Sequence, residues 1–552
     1  MNAPNKTLLT ELGETLRVVK EPAVAVLVGG RRSSLMRVLG EVYPTARLSQ
    51  HAVSAGTARL HVELAAHGAF DLIVDDTRHG QGRSERFRDL FFHLKPGGTY
   101  LVRNFPVGSG RRKATGADPS VLRLVWRLLE MRSRGVPRTG RPAKGRRRQD
   151  ARMLAASIGR VVVTGRHLLV ENRTQARAKL SEEEMNDVLT LRDESSGRLL
   201  ALRPPVEFRS RCAFSESPSP RNGSMPTSFR VPAMSVREYS DVVCLPGQVV
   251  VQENLILPDT YRHNQRWRLA NTYTRDIAPR FAIPTGETEN AEELEGPHFY
   301  LDSEFRGHFG HAITEQLSRL WAWSDAKQAA PELKAVMALN SGRELAPFEI
   351  ELFSAAGIDS KDLVFVRGPV RVETLVAATP MFSQPAYVHP DIDQLWARVS
   401  EALSKDAPEK QYPRKVFCSR RSRHRACHNA ADVESMFIAQ GFTVVYPEDF
   451  PLPEQVMIFR RAEVIAGFAG SALLNLCLSG SPKKVLIISS ESYTARNEYL
   501  VASALGHEIH QAWCKPDIPM PERGWDRRAA RSPFTFDFDQ EGRYVAEVLA
   551  ST

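Results

Sequence analysis

The sequence predicts an α/β fold with more than one parallel sheet. Three observations carry that expectation. Buried-type β runs alternate with helical patterns near the N-terminus. A β-α-β-α-β-α-β order recurs over about 75 residues after position 414, the pattern of a doubly wound domain. A length of 552 residues is several domains' worth.

Taken in order, AVAVLVGG (23–30) is an apolar run ending on glycines, and FDLIVDD (70–76) and GTYLVRNF (98–105) follow it. SERFRDLFFHL (84–94) is one of the helical patterns between them. GRVVVTGRHLLVENR (159–173) predicts a closing hairpin that turns at Thr164-Gly165. Residues 203–236 are rich in Pro and Ser and lack a period, so they read as a linker or an extended covering segment. PTGETENAEELEGP (284–297) reads as a surface loop. Strand patterns resume from about 237. HFYLDSEFRGHFGHAITEQLSRLWAW then predicts a strand, a loop and an amphipathic helix. KAVMALN, LVFVRG and VETLVAATP are further strands. The doubly wound block runs from RKVFCSRR through the helices NAADVESMFIAQG, PLPEQVMIFRRA and SALLNLCLSG to the strand KKVLIISS.

Composition excludes several classes. Hydrophobic residues at 42% and charged residues at 25% are ordinary for a globular chain. No apolar run reaches about 18 residues, so no transmembrane helix is expected. The first 22 residues carry acids and no long apolar stretch, unlike a secretory signal. Six scattered cysteines without CxxC argue against a zinc site or a disulfide scaffold and suit a reducing cytoplasm. The expected location is therefore cytoplasmic, with attachment at the inner membrane face as a peripheral alternative. The net charge of +10 is concentrated: residues 111–178 hold 18 Lys/Arg and 4 Asp/Glu. That segment reads first as a solvated loop, and second as a contact for an anionic surface; sparse aromatics make nucleic acid an unexpected partner.

Two strand ends in the last block carry polar chemistry. After KVFC comes SRRSRHRACHN, with Arg420, Arg421, Arg423, His424, Arg425 and His428. After EVIAG comes GFAGSALLN, where Gly467, Ala469, Gly470, Ser471 and Ala472 crowd a strand-to-helix junction. Guanidinium forks and helix-opening amides together suit a phosphate or pyrophosphate. The plainer alternative is a solvated arginine loop beside glycines needed for packing.

Two resemblances follow from these residues. FDLIVDDTRH and FFHLKPGGTYLVRNF resemble the second half of a class I, S-adenosylmethionine-dependent methyltransferase. The first-strand turn departs from that family: VLVGGRRSSL has Arg31 and Arg32 and no acid just before Gly29. A degenerate domain is implied, with Asp75 and Asp76 as a relic site or merely a polar strand end. The stretch from FCSRRSRHRACHN to GFAGSALLNLCLSG resembles the C-terminal half of glycosyltransferase family 61. Matching positions are Arg420, Arg421, Arg425, Asn429, Glu454, Gln455, Gly467, Gly470, Ala472, Leu473 and Asn475. Upstream, His311, Glu315, Arg319 and Leu320 are similar to the family's HF..E…RL pattern. Many members have His where this chain has Ala469, and Ser471 is a candidate for the missing hydrogen bond.

The resemblances imply an α/β chain with an N-terminal Rossmann-like, methyltransferase-type domain followed by a two-lobed GT-B glycosyltransferase. The implied segments are 1–178, a linker at 179–236, an acceptor-side lobe at 237–410 and a donor-side lobe at 411–552. The implied activity is transfer of a sugar, with inversion, from a nucleotide-sugar (a UDP-sugar being the first choice) to a hydroxyl of a glycan or protein acceptor, in polysaccharide or glycoconjugate synthesis. His311 is the candidate base, with Glu315 one helical turn on to orient it or replace it and His308 as third option. Arg420, Arg421, Arg425, Glu454, Gln455, Gly467, Gly470, Ser471 and Asn475 are the expected donor-binding set. No metal and no bound cofactor are expected. The DxD triplets at 391–393 and 537–539 suggest otherwise, but the first opens a helix and is explained by capping. RWRLAN (266–271) is an amphiphilic stretch that would suit an acceptor contact. The alternatives are a working S-adenosylmethionine-dependent methyltransferase and a non-catalytic anion-binding module.

Overall fold

The computed structural model describes residues 15–16, 19–29, 35–53, 56–77, 82–103, 120–133, 146–164, 167–219, 225–339, 346–421 and 424–550. The chain folds into two compact units. The first comprises Met1–Leu199, Tyr239–Leu294 and Pro369–Glu373; the second comprises Leu200–Glu238, Glu295–Gly368 and Thr374–Thr552.

The first unit opens with six strands, β1 (Val24–Gly29), β2 (Arg47–Ala52), β3 (Phe70–Asp75), β4 (Leu94–Val102), β5 (Ile158–Thr164) and β6 (His167–Asn172). Their order across the sheet is β2-β1-β3-β4-β6-β5. The first four run parallel, and β6 runs antiparallel to both β4 and β5. The expected closing hairpin is therefore present, with Thr164 paired to His167; its turn residues lie outside the described residues. The apolar run of β1 is buried because it lies inside the sheet between two neighbours. Helices α1 (Leu35–Val42), α2 (Gly56–Ala66) and α3 (Arg83–Leu90) separate the parallel strands, and α4 (Ser120–Ser133) and α5 (Arg146–Ser157) precede the hairpin. Gly30, Arg31 and Arg32 lie outside the described residues.

The second unit contains a six-stranded, all-parallel sheet. Its strands are β7 (Ala213–Glu216), β8 (Lys415–Cys418), β9 (Thr443–Val445), β10 (Val464–Phe468), β11 (Lys484–Ser490) and β12 (Glu508–Cys514), in the order β7-β12-β11-β10-β8-β9. Helices α6 (Ile392–Ser404), α7 (Ala430–Ala439), α8 (Leu452–Arg461) and α9 (Asn497–Leu505) belong to the same unit. A second parallel set pairs residues 298–300 with Lys334–Ala338, and that strand with Leu363–Val366. The Pro/Ser-rich segment after 203 is an extended cover: β7 adds to the edge of the six-stranded sheet, and Val206–Arg209 pairs antiparallel with Ser228–Val231.

Two expected helices are irregular. The segment after position 308 is a short α turn (Phe309–His311), a π segment (Ala312–Gln316), a 3-10 segment (Leu317–Ala322) and only then α-helix (Trp323–Ala329). SALLNLCL (471–478) is a 3-10 helix. Both pack against α6. Trp396 of α6 is fully buried and donates its indole N–H to the Ile313 carbonyl at 3.2 Å, while the Ser400 hydroxyl donates to the Leu478 carbonyl at 2.7 Å. One helix thus satisfies backbone carbonyls in both irregular segments, and π segments such as Ala312–Gln316 are frequent at functional sites.

Candidate functional site

The strand-to-helix junction after β10 answers to two different constraints. A Cβ at Gly467 would stand 2.6 Å from the Cys418 carbonyl oxygen on the neighbouring strand. This glycine is required by sheet packing. Gly470 has φ 145° and ψ −164°, a region open only to glycine, and a Cβ there would stand 2.9 Å from Arg420 Nη2 and 3.3 Å from Arg425 Nη2. This glycine lets two guanidinium groups close on the backbone.

Both arginines are half-buried and come from the loop after β8. Arg420 donates to the Arg425 carbonyl at 3.3 Å. Arg425 takes a left-handed backbone, φ 56°, fixed by its amide's bond to the Arg531 carbonyl at 3.1 Å, and its guanidinium lies 4.2 Å above the Tyr493 ring. Near them stands Glu498, in the first turn of α9 and 4% exposed, which accepts the Gly470 amide at 2.7 Å. Burial raises the Glu498 carboxyl, while Arg425, the Gly470 amide and Arg420 hold it back. Burial, then Arg425, lowers Arg420 to about 10. Two guanidiniums face one carboxylate, so the cluster carries excess positive charge beside the opening of a helix.

The His308–Glu315 segment meets this cluster. A Cβ on Gly310 would stand 3.1 Å from Ser471 Oγ and 3.0 Å from Leu474 Cδ1, so the absent side chain brings the two motifs together. His311 Nδ1 and Glu315 Oε1 are 3.1 Å apart, one helical turn on as the spacing predicts. Phe305 stacks on the His311 ring at 4.6 Å and His308 tilts against it at 4.8 Å. His308 keeps an exposed edge, yet desolvation by its surroundings and then His311 lower its pKa to about 4, with Arg425 contributing. The preceding loop is held by Arg306, 3.4 Å from Asp302 and 3.6 Å from Glu349.

The other expected donor residues lie elsewhere or do structural work. Arg421 is exposed, pairs with Asp449 and covers the Tyr446 ring at 4.1 Å. Glu454 pairs with Lys410. Asn475 donates to Gln455 Oε1 at 3.1 Å, and Gln455 donates to the Phe450 carbonyl at 2.8 Å. Asn429 bonds the backbone of Phe536 in both directions. His428 pairs with Asp517, and Arg423 lies outside the described residues. Sequence reasoning missed Glu498 and Tyr493: an acid in the first turn of a helix looks like ordinary capping. Beyond Glu498, a crevice lined by Ala469, Ser489, Gln511, Trp513 and Met225 opens at the same end of the sheet.

In the first unit the two acids at the end of β3 are already paired. Asp75 accepts from the Thr77 amide and hydroxyl and lies 3.4 Å from Arg86 Nε; Asp76 lies 2.7 Å from Arg103. These carboxylates do not fit the part of free acceptors for a cofactor. Among the described residues no His/Cys/Asp/Glu group is arranged to hold a metal, and no helix is long and apolar enough to cross a membrane.

The cationic cluster with its glycine-exposed backbone and the His311–Glu315 pair thus lie on adjoining segments of the second unit. Residues 309–487 match the family model described as Glycosyltransferase 61, about a third of the chain, and that span holds His311, Glu315, both arginines and Gly470. No protein of curated function matches the chain. Among solved structures, the MycE methyltransferase from the mycinamycin biosynthetic pathway, in complex with Mg and SAH, is 15% identical over 31% of this chain and 49% of its own, with a TM-score of 0.22. Its second crystal form gives 15%, 30%, 48% and 0.23, and the complex with Mg, SAH and mycinamycin VI gives 16%, 30%, 49% and 0.22. The chain spans about half the length of these structures, and so slight a superposition carries no argument.

Proposed function

We propose that the second unit transfers a sugar from a nucleotide-sugar to an acceptor hydroxyl, its two parallel sets of strands acting as donor and acceptor lobes of a GT-B enzyme. The observation that carries this reading is the meeting of Gly310 with Ser471 and Leu474, which sets His311–Glu315 beside the Arg420–Arg425–Gly470 cluster. The donor's pyrophosphate lies against both guanidiniums and the Gly470–Ser471 backbone. A UDP-sugar is the first donor to test.

His311 accepts the acceptor's hydroxyl proton as its oxygen attacks the anomeric carbon. Glu315, bonded to Nδ1, orients the ring and offsets the charge it gains. The bond from the anomeric carbon to the phosphate oxygen breaks with inversion, and the guanidiniums stabilise the charge on the departing nucleoside diphosphate. The pairing of Asp75 with Arg86, and of Asp76 with Arg103, supports a first unit that works without S-adenosylmethionine.

Release of nucleoside diphosphate from a panel of nucleotide-sugars tests the reading. His311→Ala is expected to lower turnover by about 100-fold or more while nucleotide still binds, the usual worth of a general base. An unchanged rate in His311→Ala, with loss of activity in His308→Asn instead, moves the base to His308 and contradicts the assignment.

A further inference from the structure

The first unit brings three sequence-distant basic stretches next to one another. In α4, Val121, Val125 and Leu128 are buried, while Arg123, Trp126, Arg127 and Met131 share the exposed side at helical spacing. Helix α5 packs on α4 and opens with the exposed triplet Arg146, Arg147 and Arg148. Asp150 of α5 holds Arg268 through two bonds, at 2.8 and 3.0 Å, and so fixes the loop 262–268 beside it. Arg266 of that loop feels both Arg262 and Arg146, which lower its pKa after desolvation. Next to it Trp267 is 81% exposed, and Trp126 is 62% exposed.

These stretches, 120–133, 146–152 and 262–268, hold ten arginines against two acids, Glu130 and Asp150, and Asp150 is taken up by Arg268. Such crowding of like charge creates a positive potential that attracts a polyanion. The two indoles decide which polyanion. Each stands alone amid arginines and close in sequence to apolar or basic groups, with no succession of rings on which bases would stack. An isolated indole flanked by cations suits the headgroup level of a bilayer, where its apolar body and N–H both find partners.

We infer that this face docks on a bilayer surface rich in anionic phospholipid, with Arg146–Arg148 and Arg266 on the phosphates and Trp126 and Trp267 inserted at headgroup depth. The inference is independent of the transferase reading, since it uses none of the residues placed in that site.

The test is co-sedimentation of the full chain with vesicles of phosphatidylcholine alone or mixed with phosphatidylglycerol. Binding to the mixed vesicles only, weakening as salt rises, is expected. Each of Arg146→Glu, Arg147→Glu and Arg148→Glu is expected to weaken it by roughly fivefold or more, the worth of one basic residue near such a surface. Trp267→Ala and Trp126→Ala are expected to weaken it several-fold, and Trp267→Tyr to restore most of the loss. All five positions are exposed, and far-UV circular dichroism verifies that each variant folds. Absence of phosphatidylglycerol-dependent binding overturns the inference. So does vesicle binding that both Trp→Ala variants leave unchanged while heparin or single-stranded DNA displaces the protein, which would make the face a polyanion or nucleic-acid site.

Discussion

Alanine at Gly467 and at Gly470 is expected to fail in two different ways, because the two glycines meet different neighbours. Gly467→Ala drives a methyl into the Cys418 carbonyl across a sheet that cannot widen, and is expected to lower stability by about 1–3 kcal/mol, as overpacked cores do. Nucleotide affinity of the folded fraction should survive. Gly470→Ala forces a side chain into a backbone region open only to glycine, so it too is expected to lower stability by about 1–3 kcal/mol, but unlike Gly467→Ala it should also weaken binding in the folded fraction, since it displaces the guanidiniums themselves. Melting midpoints and nucleotide titrations on both variants check this; equal loss of binding in the two would show that the glycines act together. The split was half-legible in sequence. The crowding of small residues announced a close approach, but whether strand or arginine approaches depends on the parallel register of β8 with β10, which no local pattern records. Glu498 was hidden for the same reason: it reaches Gly470 from 28 residues away.

Elements carry the rest of the site. The run HFGHAITEQLSRLW was legible as an amphipathic helix, and its i,i+4 spacing placed Glu315 beside His311. Its π and 3-10 interior was not legible, because it follows from tertiary bonds such as Trp396 to the Ile313 carbonyl. The Pro/Ser-rich stretch after 203 lacked period because its short strands cover other elements and bury few residues each. The contact between the helix opening and the junction turn rests on Gly310, where a Cβ would crowd Leu474 and Ser471 at 3.0 and 3.1 Å. Gly310→Val is therefore expected to separate His311 from the arginine cluster and to lower turnover by at least about tenfold, since small misplacements of reacting groups cost that much or more. Nucleotide binding should change far less. Steady-state kinetics against nucleotide affinity checks this, and unchanged turnover in a folded Gly310→Val protein would separate the helix from the chemistry.

At the scale of the whole molecule, both units hide histidines that acid must charge. In the first unit His61 and His93 are buried side by side, Nδ1 to Nε2 at 3.0 Å, and burial lowers His61 to about 3. In the second, buried His507 accepts the Lys483 amide at 3.0 Å and is lowered to about 4, chiefly by burial. Unfolded, each would titrate near 6.5. Below that pH the unfolded chain binds protons that the folded one refuses, so stability falls as pH drops from about 6.5 towards about 4, by up to about 3 kcal/mol for His507 alone. Thermal melts across that range check the sign; midpoints that hold steady between about pH 7 and about pH 4 would contradict it. The central claim, that the Arg420–Arg425–Gly470 cluster holds the phosphates of a nucleotide-sugar, is tested most directly by thermal stabilisation with UDP, GDP, CMP and S-adenosylmethionine on the intact chain and on Arg420→Ala. A nucleotide that binds only the folded state raises the midpoint by mass action. The account predicts that one nucleotide stabilises the intact chain, that Arg420→Ala removes the effect, and that S-adenosylmethionine does nothing. Stabilisation by S-adenosylmethionine alone, or by a nucleotide equally well in Arg420→Ala, would contradict it.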